Sequence, residues 1–359
     1  MIFHVVGARP NFMKAAPVYR AFAARGARQT LVHTGQHYDA RMSSEIFEEL
    51  GLPEPDVNLG VGSGSHAVQT AQVMVAMETQ LQAARPDLVL VYGDVNSTLA
   101  ATLAAVKLGI DVGHVEAGLR SGDRSMPEEI NRLVTDRLAR WLFTTSRDGD
   151  ENLLREGVAP ASIAMVGNVM IDTLVRLLPA ADGERELRAF SLQNGAGPRP
   201  FVLVTLHRPS NVDEPKMLGR LIASLERIAG DVPVIFPAHP RTRARVTAFG
   251  IDTKRLAFVE PLTYLQFLGL QRHAAVVITD SGGIQEETTF LGVPCLTMRE
   301  NTERPVTVAI GTNQLLGHDT DAMEREVAAI LEGRRTKGAI PELWDGRAGE
   351  RIADVLLES

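Results

Sequence analysis

The sequence of 359 residues contains a single cysteine, Cys295. One thiol cannot form an internal disulfide, which is typical of a protein in a reducing compartment such as the cytoplasm. Because its neighbours in GVPCLTM are mostly apolar, Cys295 is predicted to be a buried strand residue rather than a nucleophile. A lone cysteine cannot build a thiolate metal site, and the sequence has no HxH or HExxH segment. We therefore expect no metal.

Long hydrophobic runs and basic runs are also absent. No segment reaches the ~18 apolar residues of a membrane span, and the first residues, MIFHVVGARP, are predicted to form a strand rather than a signal peptide. The net charge of −7 and the absence of a basic run argue against nucleic-acid binding, although a few local cations could still bind an anionic substrate. With no GxGxxG after the first strand and no Walker loop, NAD and ATP are not indicated. We expect a cytoplasmic protein without a cofactor.

Short apolar segments alternate with helical patterns, which is typical of parallel sheets covered on both faces. One sheet with this many strands would be unusual, so we expect two doubly wound Rossmann-like α/β domains. The predicted strands are 2–6, 30–33, 88–92, 111–115, 141–145, 162–166, 201–205, 232–236, 256–259, 275–279 and 294–298. Predicted helices include 11–25, 66–84, 97–108, 127–139, 214–229, 263–272 and 284–291.

The domain boundary is predicted within 179–200, which is rich in Pro, Gly, Ala and charged residues. The N-terminal domain would span 1–178 and the C-terminal domain 179–346. We expect the last helix, within 347–359, to join the first domain. Because ligands of open α/β sheets bind beyond the carboxyl ends of the strands, a cleft between the two domains is the expected site.

The segment 275–287, AVVITDSGGIQEE, is a strand that breaks into Ser281-Gly282-Gly283 before a helix predicted to open at Ile284. Backbone amides at such a helix N-terminus bind phosphate. Glu287 follows one turn into the helix and would suit ribose hydroxyls. This pairing suggests a nucleoside diphosphate. The alternative, that Asp280 or Ser281 only caps the helix, is equally consistent with this segment alone.

Three predicted strands of the first domain end in charged residues. After strand 2–6, Arg9 and Lys14 bring two cations near a helix N-terminus, where a nearby anion would explain them. Asp94 follows strand 88–92, and because Asn96 and Ser97 are already good helix caps, Asp94 is not needed as one. Glu116 follows strand 111–115 and either belongs to a site or pairs with Arg120 or Arg124.

A further helix begins with the sequence SMPEEINR. Ser125 and Glu128 have the spacing of a capping box, which by itself is the simpler interpretation of Glu128. Arg132 lies one turn beyond Glu128, so both would share a helix face.

Histidine–arginine pairs follow two predicted strands of the second domain, and an arginine follows a third strand. His207 lies beside Arg208 at the end of strand 201–205, and His239 and Arg241 follow strand 232–236. A histidine at a strand end is more often structural than catalytic, but two in one cleft favour a site. Arg304, after strand 294–298, adds a cation beyond the Ser-Gly-Gly loop.

Together these segments resemble the non-hydrolysing UDP-N-acetylglucosamine 2-epimerases. The resemblance runs from GARPNFMK to TERPVTVAIGTN, about residues 7–313, and includes GDVNSTLAA, GHVEAGLRSGD, PEEINR, TLHRP and TDSGGIQEE in the family's order. It implies a GT-B fold, a homodimer, and interconversion of UDP-GlcNAc and UDP-ManNAc without metal or nicotinamide. The implied path is anti elimination of UDP to 2-acetamidoglucal followed by syn re-addition, which would supply ManNAc units for cell-surface polysaccharide.

The resemblance also implies roles for individual residues. The catalytic group would be Asp94, Glu116, Glu128 and His207. Contacts to diphosphate or sugar would come from Arg9, Lys14, Arg132 and Arg304. Phosphate would lie on Ser281, Gly282 and Gly283, the ribose on Glu287, and the uracil region on Phe267.

The sequence departs from the family pattern at a few places. The first loop reads GARPN where many members have GTRPE, and Leu262 replaces a uracil-contacting glutamine of some members. Segments 35–39 (GQHYD) and 207–210 (HRPS) differ from those that build an allosteric substrate site in bacterial members, so activation by substrate is not expected. Alternative functions are 2-epimerisation of a modified UDP-sugar, such as a diacetamido uronic acid, and GT-B glycosyl transfer.

Overall fold

The structure is a computed structural model and describes residues 1–35, 47–194, 197–334 and 338–358. The chain forms two compact α/β units. Unit 1 comprises Met1–Val175 and Glu342–Ser359, and unit 2 comprises Arg176–Pro341.

Unit 1 is built on a seven-stranded parallel sheet in the order β3-β2-β1-β4-β5-β6-β7. Its strands are β1 (Ile2–Val6), β2 (Gln29–His33), β3 (Val57–Asn58), β4 (Leu88–Tyr92), β5 (Asp111–Ala117), β6 (Trp141–Thr144) and β7 (Ile163–Met165). Its helices include α1 (Arg9–Ala24), α2 (His66–Ala84), α3 (Asn96–Lys107), α4 (Pro127–Leu138), α5 (Arg147–Arg155) and α6 (Val169–Leu177), with a 3₁₀ turn at Pro160–Ser162.

Unit 2 contains a six-stranded parallel sheet in the order β12-β11-β10-β13-β14-β15 and a two-stranded ribbon, β8-β9. The strands are β8 (Gln193–Asn194), β9 (Gly197–Pro198), β10 (Val202–Thr205), β11 (Val234–Pro237), β12 (Ala257–Val259), β13 (Val276–Thr279), β14 (Cys295–Thr297) and β15 (Asn313–Leu315). The helices include α7 (Glu184–Ala189), α8 (Pro209–Val212), α9 (Pro215–Ile228), α10 (Pro240–Ala248), α11 (Tyr264–Gln271), α12 (Gly282–Leu291), α13 (Val306–Ala309) and α14 (Thr320–Leu331), with a 3₁₀ turn at Leu178–Ala180.

The central strands are buried and mostly apolar, as expected when helices cover both faces of each sheet. In unit 1, Val5 of β1 and Val91 of β4 are paired and belong to a core that also contains Ala100 and Ala104 of α3. In unit 2, Val204 of β10 and Ile278 of β13 are paired in the same way within its core. These buried strands place the polar residues that follow them at the carboxyl edge of each sheet.

The predicted fold class is confirmed, since two parallel sheets are present and each of the eleven predicted strands has a counterpart. The edge strands β3 and β15 were not predicted, because β3 has only two residues and β15, Asn-Gln-Leu, has no apolar run. No helix among the described residues has the length and apolar character needed to span a bilayer.

Two helices begin two residues earlier than predicted. Helix α12 begins at Gly282 rather than at Ile284. Helix α1 begins at Arg9 rather than at residue 11, and the side chain of Asn11 accepts hydrogen bonds from the amides of Gly7 and Ala8. Asn11 also donates to the Tyr92 carbonyl, so the turn after β1 is tied to the end of β4.

The last helix, α15 (Ala348–Glu358), packs against α1 within unit 1. The carboxylate of Asp172, on α6, accepts hydrogen bonds from the amides of Ala348 at 3.0 Å and Gly349 at 2.7 Å. Asp172 therefore satisfies two amides at the start of a helix that is distant in sequence.

Replacing Asp172 with alanine should destabilise unit 1 by about 1–2 kcal/mol, because two buried helix amides lose their acceptor. Urea unfolding followed by circular dichroism measures the loss. The control is Asp354→Ala, which removes an exposed ion pair between α15 and Arg25 and should cost less than about 0.5 kcal/mol. Equal losses in the two variants would contradict the capping role.

Candidate active site

Lys14 and Glu116 form a buried ion pair in unit 1. Both side chains are less than a tenth exposed, and they join the second turn of α1 to the end of β5. Lys14 is therefore not a solvated surface charge, and the partner of Glu116 is Lys14 rather than Arg120 or Arg124. Arg120 instead pairs with Asp136 and Glu156.

The backbone of Glu116 is in the left-handed region, with φ of 74°. The pairing of β5 with β6 shifts register between Val115 and Ala117, so Glu116 occupies a β-bulge. A non-glycine residue at such a φ costs free energy and is found most often at functional sites. The bulge redirects the side chain of Glu116 toward Lys14.

Asp94 and Arg132 form a second pair in unit 1. One Asp94 Oδ lies 2.5 Å from Nη1 of Arg132, whose side chain is almost fully buried while that of Asp94 is about a quarter exposed. Arg132 also contacts Glu129, which in turn accepts from the amides of Ser121 and Gly122. Burial alone would raise the pKa of Glu129, but those amides and Arg132 outweigh it and hold the pKa below its ordinary value.

The caps predicted near these residues are wrong. The residue before α4 is Met126, and the Ser125 hydroxyl donates to Asp123, so Ser125 and Glu128 form no capping box. The residue before α3 is Val95, and it provides no side-chain cap.

Glu128 therefore has no capping role in the first turn of α4. Its side chain is half-buried, and among the described residues no hydrogen bond or ion pair to its carboxylate is found. Arg9, the first residue of α1, is exposed.

In unit 2, helix α12 begins at the Ser-Gly-Gly loop, and the side chains expected to cap it do not do so. Ser281 precedes the helix without a side-chain cap bond. The Asp280 carboxylate accepts instead from the amides of His207 and Arg208 and from the side chain of Asn211. The alternative interpretation of this loop, as a helix capped by either residue, is thus wrong, and the first-turn amides keep the geometry that binds anions.

Asp280 also orients His207. Oδ1 of the fully buried Asp280 lies 3.0 Å from Nδ1 of His207, whose side chain is half exposed. Burial would raise the pKa of Asp280, but His207 and the other donors outweigh it and lower the pKa. An imidazole held by a buried carboxylate and open on its other side can carry a proton.

Arg304 is held against the first turn of α12 by two carboxylates. Its Nε is 2.8 Å from Glu286 and its Nη1 is 2.7 Å from Glu303. A Cβ on Gly282 would lie 2.4 Å from Nη1 of Arg304, so this contact requires glycine at that position. Arg299 also pairs with Glu303, whose pKa lies well below its ordinary value because the arginines outweigh burial.

Glu287 is buried in α12 and accepts a hydrogen bond of 2.9 Å from the Tyr264 hydroxyl. Phe267, also on α11, is partly buried against the core of unit 2. His239 caps α10 by accepting from the Arg241 amide, so it has the structural role that is commoner for such a histidine.

Cys295 is fully buried in β14, as predicted, and burial raises the pKa of its thiol to about 11. Within the described ranges, no group of three or more His, Cys, Asp or Glu side chains is arranged to hold a metal ion. The prediction that segment 35–39 does not build an allosteric site cannot be compared with the structure at residues 36–39, which lie outside the described residues.

Sequence reasoning missed His114 and Asp136. His114 is a polar residue within an apolar strand, which was an available signal, whereas Asp136 near the end of α4 offered none. Both are completely buried in unit 1, and Nδ1 of His114 lies 2.6 Å from Oδ1 of Asp136.

Known proteins that this chain is similar to include 2-epimerases of UDP-sugars. A family model described as UDP-N-acetylglucosamine 2-epimerase matches residues 20–357. A UDP-N-acetylglucosamine 2-epimerase of Methanocaldococcus jannaschii is 40% identical over 364 residues, covering 98% of this chain and 97% of the relative. A UDP-2,3-diacetamido-2,3-dideoxy-D-glucuronate 2-epimerase of Pseudomonas aeruginosa is 39% identical over 359 residues, 99% of each chain.

Solved structures are similar over the whole chain. A crystal structure of an M. jannaschii UDP-GlcNAc 2-epimerase in complex with UDP-GlcNAc and UDP has a TM-score of 0.90 and 40% identity, covering 100% of this chain and 99% of that one. A UDP-GlcNAc 2-epimerase from Neisseria meningitidis bound to UDP-GlcNAc has a TM-score of 0.90 and 29% identity, with complete coverage of both chains.

The Lys14–Glu116 pair should show strong energetic coupling. Lys14→Met or Glu116→Gln leaves one buried charge without this partner and should each cost about 3–5 kcal/mol, whereas the double variant should cost clearly less than the sum. A double-mutant cycle in urea unfolding measures the coupling.

The exposed pair Arg140–Asp111 is the matched control and should couple by less than about 1 kcal/mol. If the Lys14 and Glu116 substitutions are additive within about 0.5 kcal/mol, the ion pair is not a stabilising interaction of the site.

Proposed function

The chain belongs to the UDP-N-acetylglucosamine 2-epimerase family, and on that premise we propose that it interconverts UDP-GlcNAc and UDP-ManNAc. The observation that carries this proposal is the set of three carboxylates, Asp94, Glu116 and Glu128, in unit 1, two of them at strand ends and one in the first turn of α4. Inversion at C2 of a sugar needs proton carriers, whereas binding alone does not. The protein is thus an isomerase.

The first step is anti elimination of UDP. A carboxylate removes the proton from C2, the electron pair forms the C1–C2 double bond, and the C1–O bond breaks to release UDP and 2-acetamidoglucal. The C2 proton next to an acetamido group is weakly acidic, so the base must be positioned close to it.

The second step is syn re-addition. A phosphate oxygen of UDP forms the bond to C1. An acid delivers a proton to the face of C2 opposite to the one from which the first proton was removed, which gives the epimer. Two proton carriers in different electrostatic environments would divide the removal of the C2 proton and its return. Glu116 is buried beside Lys14, whereas Glu128 is half-buried and has no ion-pair partner among the described residues. His207, oriented by Asp280, is a further proton carrier.

We propose the following binding roles for individual residues of unit 2 and of unit 1, each taken within its own unit. The amides of Gly282 and Gly283 and the hydroxyl of Ser281, together with Arg304, would stabilise the charge that develops on the departing diphosphate. The Ser281 amide itself donates to Oγ1 of Thr279. Glu287, with the Tyr264 hydroxyl beside it, would bind the ribose, and Phe267 would contact the uracil. Arg9, Lys14 and Arg132 would contact the diphosphate or the sugar.

A second candidate substrate is a UDP-diacetamido uronic acid. It is favoured by the 39% identity with the P. aeruginosa 2-epimerase, which nearly equals that with the M. jannaschii enzyme. The chemistry at C2 would be the same, because both sugars carry an acetamido group there. Comparing kcat/KM for the two UDP-sugars decides between them.

In D2O the enzyme should convert UDP-GlcNAc to UDP-ManNAc with deuterium at C2, because the removed proton exchanges with solvent before re-addition. Proton NMR of the C2 signal measures this exchange. A glycosyltransferase would leave C2 unchanged, and a hydrolysing enzyme would accumulate UDP without returning it to the sugar.

Glu116→Gln should lower the rate of C2 exchange by about 10²- to 10⁴-fold, since the amide cannot carry the proton. Glu151→Gln, an isosteric change at an exposed position of the same unit, is the control and should keep the wild-type rate. Folded wild-type protein that shows neither exchange nor epimer, with either UDP-sugar, would exclude the proposed reaction.

We further propose that the protein works in the cytoplasm as a homodimer, supplying ManNAc units for cell-surface polysaccharide. The dimer is supported by exposed apolar side chains on α2 and α4 of unit 1, the two helices that contact α3. The exposed apolar side chains of α2 and α4 are Val68, Val75, Ile130 and Leu138. Apolar side chains spread over neighbouring helices are typical of a subunit interface.

Val75→Glu should convert the dimer to a monomer, because Val75 is 64% exposed in the isolated chain and a buried carboxylate at an interface is costly. Sedimentation velocity measures the mass. Leu357→Glu, at an exposed position of α15, is the control and should remain dimeric. A wild-type protein that sediments as a 39.0 kDa monomer at micromolar concentration contradicts the homodimer.

A further inference from the structure

The buried pair His114–Asp136 has no part in the reaction as proposed, although it lies next to the residues that do. His114 belongs to β5 and Asp136 to α4, and both side chains are at most 1% exposed. Nδ1 of His114 is 2.6 Å from Oδ1 of Asp136, and Nε2 is 2.8 Å from the carbonyl oxygen of Gly93.

Both ring nitrogens of His114 therefore face acceptors. A carbonyl oxygen accepts only, and so does an ionised carboxylate. Asp136 also receives the amide of Gly118 at 3.1 Å and Nη1 of Arg120 at 2.7 Å, which favours its ionised form. The pKa of Asp136 is correspondingly low, since His114 and Arg120 outweigh the effect of burial. In this geometry each ring nitrogen has an oxygen within hydrogen-bond distance, an arrangement that an imidazolium satisfies with both of its N–H groups.

Asp136 holds the chain on both sides of Glu116. One carboxylate oxygen binds the side chain of residue 114 and the other binds the amide of residue 118. Between them lies Glu116, with its left-handed φ of 74° and its register shift. A strained backbone persists only when its surroundings fix it, and Asp136 provides two such contacts.

His114 also holds the turn that carries Asp94. Its Nε2 donates to Gly93, the residue directly before Asp94, and Gly93 has a φ of 61°. A Cβ at Gly93 would meet the Lys14 ammonium, so this turn is in contact with the Lys14–Glu116 pair. One hydrogen-bonded chain, from Asp136 through His114 to the Gly93 carbonyl, therefore links the strand segment that carries Glu116 to the turn that carries Asp94.

We propose that Asp136 and a cationic His114 are positioning residues that set the relative placement of Asp94 and Glu116. The effect of this placement on catalysis rests on the proposed epimerase function, whereas the positive charge of His114 does not depend on that function. The charged group that contacts the imidazole is Asp136 of α4, which also pairs with Arg120 of the loop after β5. The Lys14–Glu116 pair lies against Gly93, whose carbonyl accepts from the imidazole.

The charge is tested by NMR on the full chain with ¹⁵N-labelled histidine at pH 7.5. The sequence has nine histidines, and the signal absent from His114→Asn identifies His114. Both ring nitrogens should show the shifts of a protonated imidazolium in the wild type. In Asp136→Asn one of them should move to the value of an unprotonated nitrogen. A neutral His114 in the wild type overturns this part of the proposal.

The positioning role is tested with a matched pair of variants. His114→Asn keeps a donor toward Asp136 and loses the bond to Gly93, whereas His114→Gln keeps a donor toward Gly93 and loses the bond to Asp136. Each should lower kcat for epimerisation about ten- to a hundred-fold, because the carboxylates are displaced from the reacting atoms, with KM within about three-fold of wild type.

The control is His273→Gln, at a partly buried position of unit 2 where the ring faces the Asp182 carbonyl, which should keep wild-type kcat. Circular dichroism and melting curves identify variants that fail to fold, and the two substitutions offer independent chances of a folded protein. A folded variant of either kind with wild-type kcat overturns the positioning role. If the wild type itself does not epimerise, the proposed function fails, and the NMR result still decides the charge of His114.

Discussion

The buried ion pair between Lys14 and Glu116 is the interaction on which the rest of the unit 1 site depends. Two charges removed from water are tolerated only when they compensate each other closely. This pair requires a bulged strand end that turns Glu116 toward α1, and it leaves room at residue 93 only for glycine. The strain at Glu116 is in turn held by Asp136. The placement of Glu116 thus follows from compensating one buried lysine.

Unit 2 shows the same principle around a different charge. Arg304 lies against the first turn of α12, where a cation is unfavourable for the helix dipole, and Glu286 and Glu303 compensate it. The close approach requires glycine at position 282. The first turn of α12 is therefore shaped by the arginine that lies against it.

The fold could be predicted from the sequence because apolar strands and helical periodicity are local signals. The residues that cap the helices could not be predicted in the same way. Ser125, Asn96 and Asp280 are good capping residues by type, yet each makes another contact. Asp280 is the clearest case, since its acceptors are taken by the amides of His207 and Arg208 on a neighbouring strand end. A capping rule considers only neighbours in sequence and therefore pairs each side chain with the nearest helix amide. In the folded chain the same side chain meets other hydrogen-bond partners that are distant in sequence.

By itself the sequence determined that two parallel α/β sheets form, that polar residues follow their strands, and which family the chain resembles. These are properties of segment order and residue type. The tertiary structure alone decided which charges are paired: Glu116 with Lys14, Asp94 with Arg132, and His114 with Asp136. Electrostatic compensation depends on distance in space, and the strand order that brings these residues together is set by packing rather than by sequence separation.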